Sequence, residues 1–131
     1  MNVTYEWRGA FGNSDLNRLH ADAFEHQVLD DDWLAQVARH SLGWVCAFSD
    51  SELVGFVNVA WDGGVHAFVL DTMVATNLRH RGIGRRLVEE AVSGARSANC
   101  EWLHVDFDGH LRDFYLDSCG FVEADAGLIE L

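Results

Sequence analysis

Val74-Ala-Thr-Asn-Leu-Arg79-His80-Arg81-Gly82-Ile83-Gly84-Arg85-Arg86-Leu-Val88 is the stretch that decides how this chain reads. It emerges from VHAFVLDTMVA (65–75), an apolar run with the composition of a strand covered on both faces. After Gly82 the apolar spacing lengthens. Ile83, Leu87, Val88, Ala91, Val92 and Ala95 share one helical face and Arg85, Arg86, Glu89, Glu90 and Arg96 the other, so the spacing predicts a helix to about Ala98. Strand, glycine-bearing turn and helix, in that order, aim unpaired backbone N–H groups and the positive end of the helix dipole at one point. Glycines let an anion approach the backbone closely, and Arg79, Arg81, Arg85 and Arg86 add forked donors suited to phosphate oxygens. The segment reads as a polyphosphate site. It is not a Walker A loop, which needs Gly-Lys-Ser/Thr, because the chain has no Lys. The dinucleotide fingerprint is weakened as well, since its third glycine is Leu87 here.

Around this segment the composition is that of one globular unit. With 131 residues, 49% of them apolar, residues 1–131 are expected to form a single domain with its own core. Nine basic residues, all Arg, stand against 21 acidic ones for a net charge of −12. Residues 79–86 carry +4 with no acid among them, so the other 5 arginines face all 21 acids and the rest of the chain is −16. That balance argues against nucleic acid and anionic membranes as partners. No run approaches the roughly 18 to 20 continuous apolar residues of a membrane span, and MNVTYEWRGA lacks the order of a signal peptide, so the expectation is a soluble cytoplasmic protein. Cys46, Cys100 and Cys119 are odd in number and widely spaced, which suits buried free thiols. No metal is expected: His104-x-Asp106 puts two side chains on one strand face without a convincing third ligand.

The remaining elements follow from periodicity and turn residues. Residues 2–8 read as an edge strand. Asn13 and Ser14 offer N-caps for a helix with Leu16, Leu19, Ala23 and Phe24 on its apolar face. The DDD run before Trp33 suits the start of a second helix, to about His40. Runs at 43–48, 53–61 and 65–75, with Asp62-Gly63-Gly64 as a hairpin turn, predict an antiparallel meander. A strand is expected at 101–107, a short helix at 111–118 ended by Gly120, and a last strand in GLIEL. The class is α/β (α+β) with a mixed sheet.

Arg79-His80-Arg81-Gly82-Ile83-Gly84 resembles the acyl-CoA-binding motif Arg/Gln-x-x-Gly-x-Gly/Ala of the GNAT superfamily of N-acetyltransferases at every fixed position. Phe114-Tyr115-Leu-Asp-Ser-Cys-Gly120-Phe121 is similar to that family's Phe-Tyr-x-x-x-Gly-Phe, and with the strand order the resemblance spans roughly residues 43–131. It implies a mixed, mostly antiparallel central sheet of six to seven strands flanked by about four helices, and acetyl-CoA as co-substrate. It also implies that Arg79, His80, Arg81, Gly82, Ile83, Gly84 and Arg85 surround the CoA pyrophosphate. The backbone of Met73 and Val74 would pair with the pantetheine arm as if with an added strand. Many members carry Asn seven positions before the Tyr; Asp108 stands there in this chain, which alters contacts in the pantetheine region. A homodimer is a further family-level expectation.

Acetyl transfer to an amine needs a neutral nucleophile, a polarised thioester carbonyl and a proton for the departing thiolate. A phenol titrating near 10 can supply that proton, and its place in the matched motif nominates Tyr115 over a purely anchoring aromatic. Asp71, in an otherwise apolar strand, is either a base with a raised pKa or a structural acid bonded to backbone or Arg. His66, His104 and Asp106 are weaker alternatives. The family resemblance directs the acceptor to the segment His26–Trp33, where His26, Asp32 and Trp33 offer charge and a π face to an amine, unless the acids only cap a helix. Trp61 lines the same cleft or merely packs. The leading reading is transfer from acetyl-CoA to a primary amine of a small molecule or peptide by direct attack. The alternative is a non-catalytic acyl-CoA-binding or interaction module.

Overall fold

The structure, a computed structural model, describes residues 2–131. In chain order the elements are β1 (Val3–Trp7), α1 (Asn13–Phe24), α2 (Trp33–His40), β2 (Ser41–Ser49), β3 (Glu52–Trp61), β4 (His66–Val74), α3 (Ile83–Ser97), β5 (Trp102–His104) and a short π-helical α4 (Asp113–Ser118). The five strands form one sheet in sequence order, antiparallel from β1 to β4, with β5 parallel to β4. Helix α3 covers one face. There Ile83, Leu87, Ala91 and Ala95 pack on Val45, Val57, Val59, Ala67 and Val69. Helices α1 and α2 cover the other, setting Leu16, Leu19, Trp33 and Val37 against Cys46, Phe56 and Met73. Apolar side chains on both faces of β2 and β3 are thereby removed from water. Strand β4 is not covered on both faces as its apolar run suggests: Ala67 and Val69 are buried under α3, while Phe68 and Leu70 on the opposite face stay exposed because α1 and α2 do not reach over that half of the strand.

The meander and the hairpin at Asp62-Gly63-Gly64 form as read, with Gly63 at φ +83° and the Asp62 carboxylate accepting from the Gly64 amide at 2.7 Å. Four further expectations need correction. The sheet has five strands among the described residues, not six or seven. Its last expected member, GLIEL, is not a strand: the 101–107 strand stops at His104, leaving only a three-residue edge to pair with. Leu128, Ile129 and Leu131 are consequently left exposed. The expected 111–118 helix is divided into a 3₁₀ turn over Gly109–Leu111 and α4, whose i→i+5 bond runs from the Cys119 amide to the Phe114 carbonyl. Finally, α1 is capped by Gly12 without a side-chain bond. Asn13 instead serves the other helix, its Oδ1 accepting from the Leu34 amide at 2.9 Å.

Two long-range devices set the layers. Buried Asn17 has all four of its amide valences used: Nδ2 donates to the carbonyls of Asn13 and Asp31, and Oδ1 accepts from the Asp31 amide and Trp33 Nε1. This fixes the α1–α2 connection. On the other side the Trp7 indole lies between Gly43 of β2 and Gly94 of α3, where an added Cβ would come within 2.2 Å and 2.5 Å of its ring. In Gly94→Ala the gain in helix propensity is about 1 kcal/mol, but overpacking three ring atoms costs about 1–3 kcal/mol. The expected result is a net loss of stability, read as a lower urea midpoint; a higher midpoint would show that Trp7 yields freely.

Candidate active site

The β3–β4 ladder slips between the pairs Phe56↔Met73 and Asn58↔Leu70, so Asp71 and Thr72 together oppose Val57. Asp71 sits in the left-handed region at φ +56°, which costs a non-glycine residue about 1 kcal/mol and marks the bulge as a deliberate re-aiming of the strand. The bulge turns Asp71 and Thr72 into an open cleft of about 420 Å³, whose walls include His20, Phe24, Asp106, Phe107, Asp108 and Tyr115. The Asn58 amide is in hydrogen-bonding reach of the Asp71 carboxyl, and its own oxygen accepts from the Ser41 hydroxyl, which orients the amide. Burial raises the Asp71 pKa; nearby His20 and the Asn58 bond pull it back down.

Tyr115 is held edge-on by Phe114 (4.8 Å, 78°) and stacked on Phe107 (5.2 Å, 21°). The sequence places it on the one turn of α4 that faces the cleft, and burial pushes its phenol above the ordinary value, so it stays protonated at neutral pH. The nearby Thr72 hydroxyl draws the Tyr115 pKa partly back down, although its oxygen meets no well-aligned hydrogen-bond partner.

Above the cleft, β4 and β5 pair only from His66 to Phe68. From Val69 to Val74 the β5-side edge of β4 has no strand partner among the described residues, so Met73 and Val74 belong to an open edge; the Met73 side chain is in the core. The edge leads to the turn. Its anchors are Thr76, whose amide and hydroxyl donate to Asp22, and Arg79, whose guanidinium donates to the Ala23 carbonyl at 2.7 Å. Gly82 caps α3 at φ +82°, a conformation that favours glycine, and faces open space. The first bond of the helix is from the Arg86 amide to the Gly82 carbonyl, so the amides of Ile83, Gly84 and Arg85 have no intrahelical partner. Gly84 is needed for packing: a Cβ there would press on Phe114 at 3.2 Å.

The arginines are not equivalent. Arg85 and Arg86 pair with Glu89 and Glu90 one turn on, and Arg86 also lies over the Tyr5 ring at 5.2 Å. Arg79 is spent on the Ala23 carbonyl. Arg81, beside His80 at φ +64°, has no ion-pair partner among the described residues. Glu89 and Glu90 therefore offset part of the charge that the four arginines offer an anion, while Arg79 keeps its charge but has its guanidinium held at the Ala23 carbonyl.

A model of the acetyltransferase (GNAT) family matches residues 4–121. The chain belongs to the GNAT acetyltransferase family. Solved structures agree on the fold. A GNAT family acetyltransferase from Streptococcus pneumoniae superposes with a TM-score of 0.80 at 21% identity, covering 99% of this chain and 98% of that one. Glucosamine-6-phosphate N-acetyltransferase from Arabidopsis thaliana gives 0.75 at 15%, with 98% of each covered. AAC(6')-Iy, solved with a bisubstrate analogue of CoA and acetylneamine, gives 0.78 at 15%, covering 100% and 98%. No curated protein sequence matches the chain significantly. The GNAT family uses acetyl-CoA, and the open β4 edge running into unpaired amides at α3 suits an extended arm ending in a pyrophosphate.

The expected acceptor residues are scattered. Asp32 caps α2, accepting from the Ala35 amide and the Asn13 side chain. Trp33 is in the core with its Nε1 on Asn17. Trp61 donates to the Gly64 carbonyl at the hairpin, and none of these three lines the cleft. His66 and His104 face each other at 2.8 Å over the paired end of β4 and β5, outside the cleft. His26 touches the site only through His20, which sequence reasoning missed; a cleft-facing position on the polar side of α1 leaves no periodic signal. Among the described residues no three His, Cys, Asp or Glu side chains are placed to hold a metal ion, and no helix is long and apolar enough to cross a membrane.

Proposed function

We propose that residues 1–131 form one acetyltransferase domain that moves an acetyl group from acetyl-CoA to a primary amine of a small molecule or peptide by direct attack, in the cytoplasm. The observation that carries this reading is the convergence, on one cleft, of the bulged and unpaired edge of β4 with the protonated Tyr115 phenol. Asp71, Asp106 and Asp108 give the cleft an acidic wall, with Phe24 and Phe107 as aromatic faces, which suits an incoming ammonium group. The backbone of Met73 and Val74 holds the pantetheine arm, and the amides of Ile83, Gly84 and Arg85, with Arg81 and His80 nearby, hold the pyrophosphate. Asp71 receives the amine, whose neutral nitrogen attacks the thioester carbonyl. Tyr115 gives its proton to the departing sulfur. Covalent relay through cysteine is disfavoured. Burial pushes Cys46 to about 12 and Cys119 to about 11 and raises Cys100, and no cysteine lines the cleft.

The test is calorimetric titration with acetyl-CoA followed by thiol release with a panel of primary amines. Micromolar binding and amine-dependent release are expected. Absence of binding would refute the donor site, and binding without release from any amine would leave a non-catalytic acyl-CoA-binding module.

A further inference from the structure

The His20 and His26 rings are coupled, with His20 Nδ1 2.6 Å from His26 Nε2. The other nitrogen of His26, Nδ1, lies 2.6 Å from the Gln27 carbonyl oxygen. A carbonyl only accepts, so His26 Nδ1 carries hydrogen. In neutral His26 the Nε2 is then the bare nitrogen and must accept from His20, whose Nδ1 carries hydrogen in turn. One tautomer survives for each ring. It leaves His20 Nε2 with a free lone pair on a side chain that lines the cleft beside Asp71.

From this chain of contacts we infer that His20 is the base that takes the proton from the acceptor amine, with its tautomer set by a relay from the Gln27 carbonyl through His26. The inference rests on the amine-acetylation reading of the cleft. The proton balance closes. An ammonium must lose two protons to become an amide. One passes to His20 Nε2 and leaves from there to solvent once the product has departed, while the His20 Nδ1 hydrogen stays on its bond to His26. The other replaces the proton that Tyr115 delivers to sulfur. Asp71 stabilises the transient imidazolium.

The surroundings suit the role. The ring packs against Phe24 (4.6 Å), His26 (4.8 Å) and Trp33 (5.5 Å). Burial and the neighbouring His26 lower the His20 pKa, opposed by Asp71 and Asp31, so the ring is neutral at pH 7. Asp106 and Asp108 are the other charged groups on the cleft walls. A base whose pKa lies below its ordinary value is active above that pKa and loses activity as pH falls through it.

Two independent measurements test the proposal. Nitrogen-15 NMR of the histidine rings in the wild-type protein at pH 7.5 is expected to show hydrogen on Nδ1 and a bare Nε2 in both residues; hydrogen on His20 Nε2 overturns it. In thiol-release assays with the amine panel, wild type is expected to lose kcat/KM below its His20 pKa. His20→Gln is expected to lose at least 100-fold in kcat and this acidic limb, with acetyl-CoA affinity unchanged. His26→Gln keeps an acceptor for His20 Nδ1 but takes away the lowering influence of the neighbouring imidazole, so the limb should move to higher pH. A limb that survives in His20→Gln overturns the inference while leaving the acetyltransferase reading intact. No turnover by the wild type with any amine, despite CoA binding, refutes that reading itself, and the catalytic role with it.

Discussion

Gly82→Asp is expected to weaken acetyl-CoA binding by at least 100-fold, while Gly82→Ala weakens it only slightly. Both variants place a side chain at φ +82°, in the left-handed region, and carry a similar backbone strain of about 1 kcal/mol. An added Cβ meets nothing within 4 Å, so neither variant disturbs packing. They differ by one negative charge. At about 5 Å from a phosphate, with an effective dielectric constant near 20, that charge is worth about 3 kcal/mol, or a little over two decades in affinity. Glu89 and Glu90 already engage Arg85 and Arg86, so Arg81 is the arginine next to position 82 with no ion-pair partner among the described residues. A carboxylate there competes with the phosphate for it as well as repelling the phosphate directly. What attracts the anion is the amide end of α3 with Arg81 beside it. Calorimetry with acetyl-CoA on the three proteins decides it. Equal affinities for wild type and Gly82→Asp would place the pyrophosphate elsewhere.

How legible all this was depends on distance along the chain. Helix α3 and its glycine turn are local: an apolar period, two glycines and a preceding strand all lie between His66 and Ser97 and specify each other. The Asp62-Gly63-Gly64 hairpin is local in the same way. The charge of residues 79–86 was readable but misleading, since counting arginines does not tell which are neutralised one helical turn later. Nor does the sequence mark Gly43 and Gly94 as the two walls of a slot for Trp7, because three elements must assemble before the slot exists. Asn17 looks like any polar residue on a helix until the α1–α2 connection folds back on it. Trp33, attractive as an aromatic beside three acids, is drawn inward by that same Asn17. The bulge at Asp71 is set by the register of β3 against β4, which no single strand encodes. His20 gains meaning only once α1 and β4 face each other across the cleft.

Tyr115→Phe is expected to lower kcat by about 100-fold or more, leaving acetyl-CoA affinity and stability close to wild type. The substitution removes one oxygen and nothing else: the ring keeps its stack on Phe107 and its edge contacts with Phe114 and Phe121. The Thr72 hydroxyl already lacks an aligned partner, so no well-made hydrogen bond is broken. What disappears is the proton for the departing thiolate. Protonation works in favour of the wild type. The Tyr115 pKa is raised by burial, so the phenol is the dominant form below that raised value and the acid is lost only as pH climbs through it. Wild-type rates should therefore hold up to about pH 10, the ordinary phenol value, before an alkaline fall, and Tyr115→Phe should show no such fall. Single-turnover thiol release, which isolates the chemical step from product departure, is the measurement to make. A variant that retains wild-type single-turnover rates would reduce Tyr115 to an aromatic anchor for α4 and leave the sulfur to be protonated by solvent.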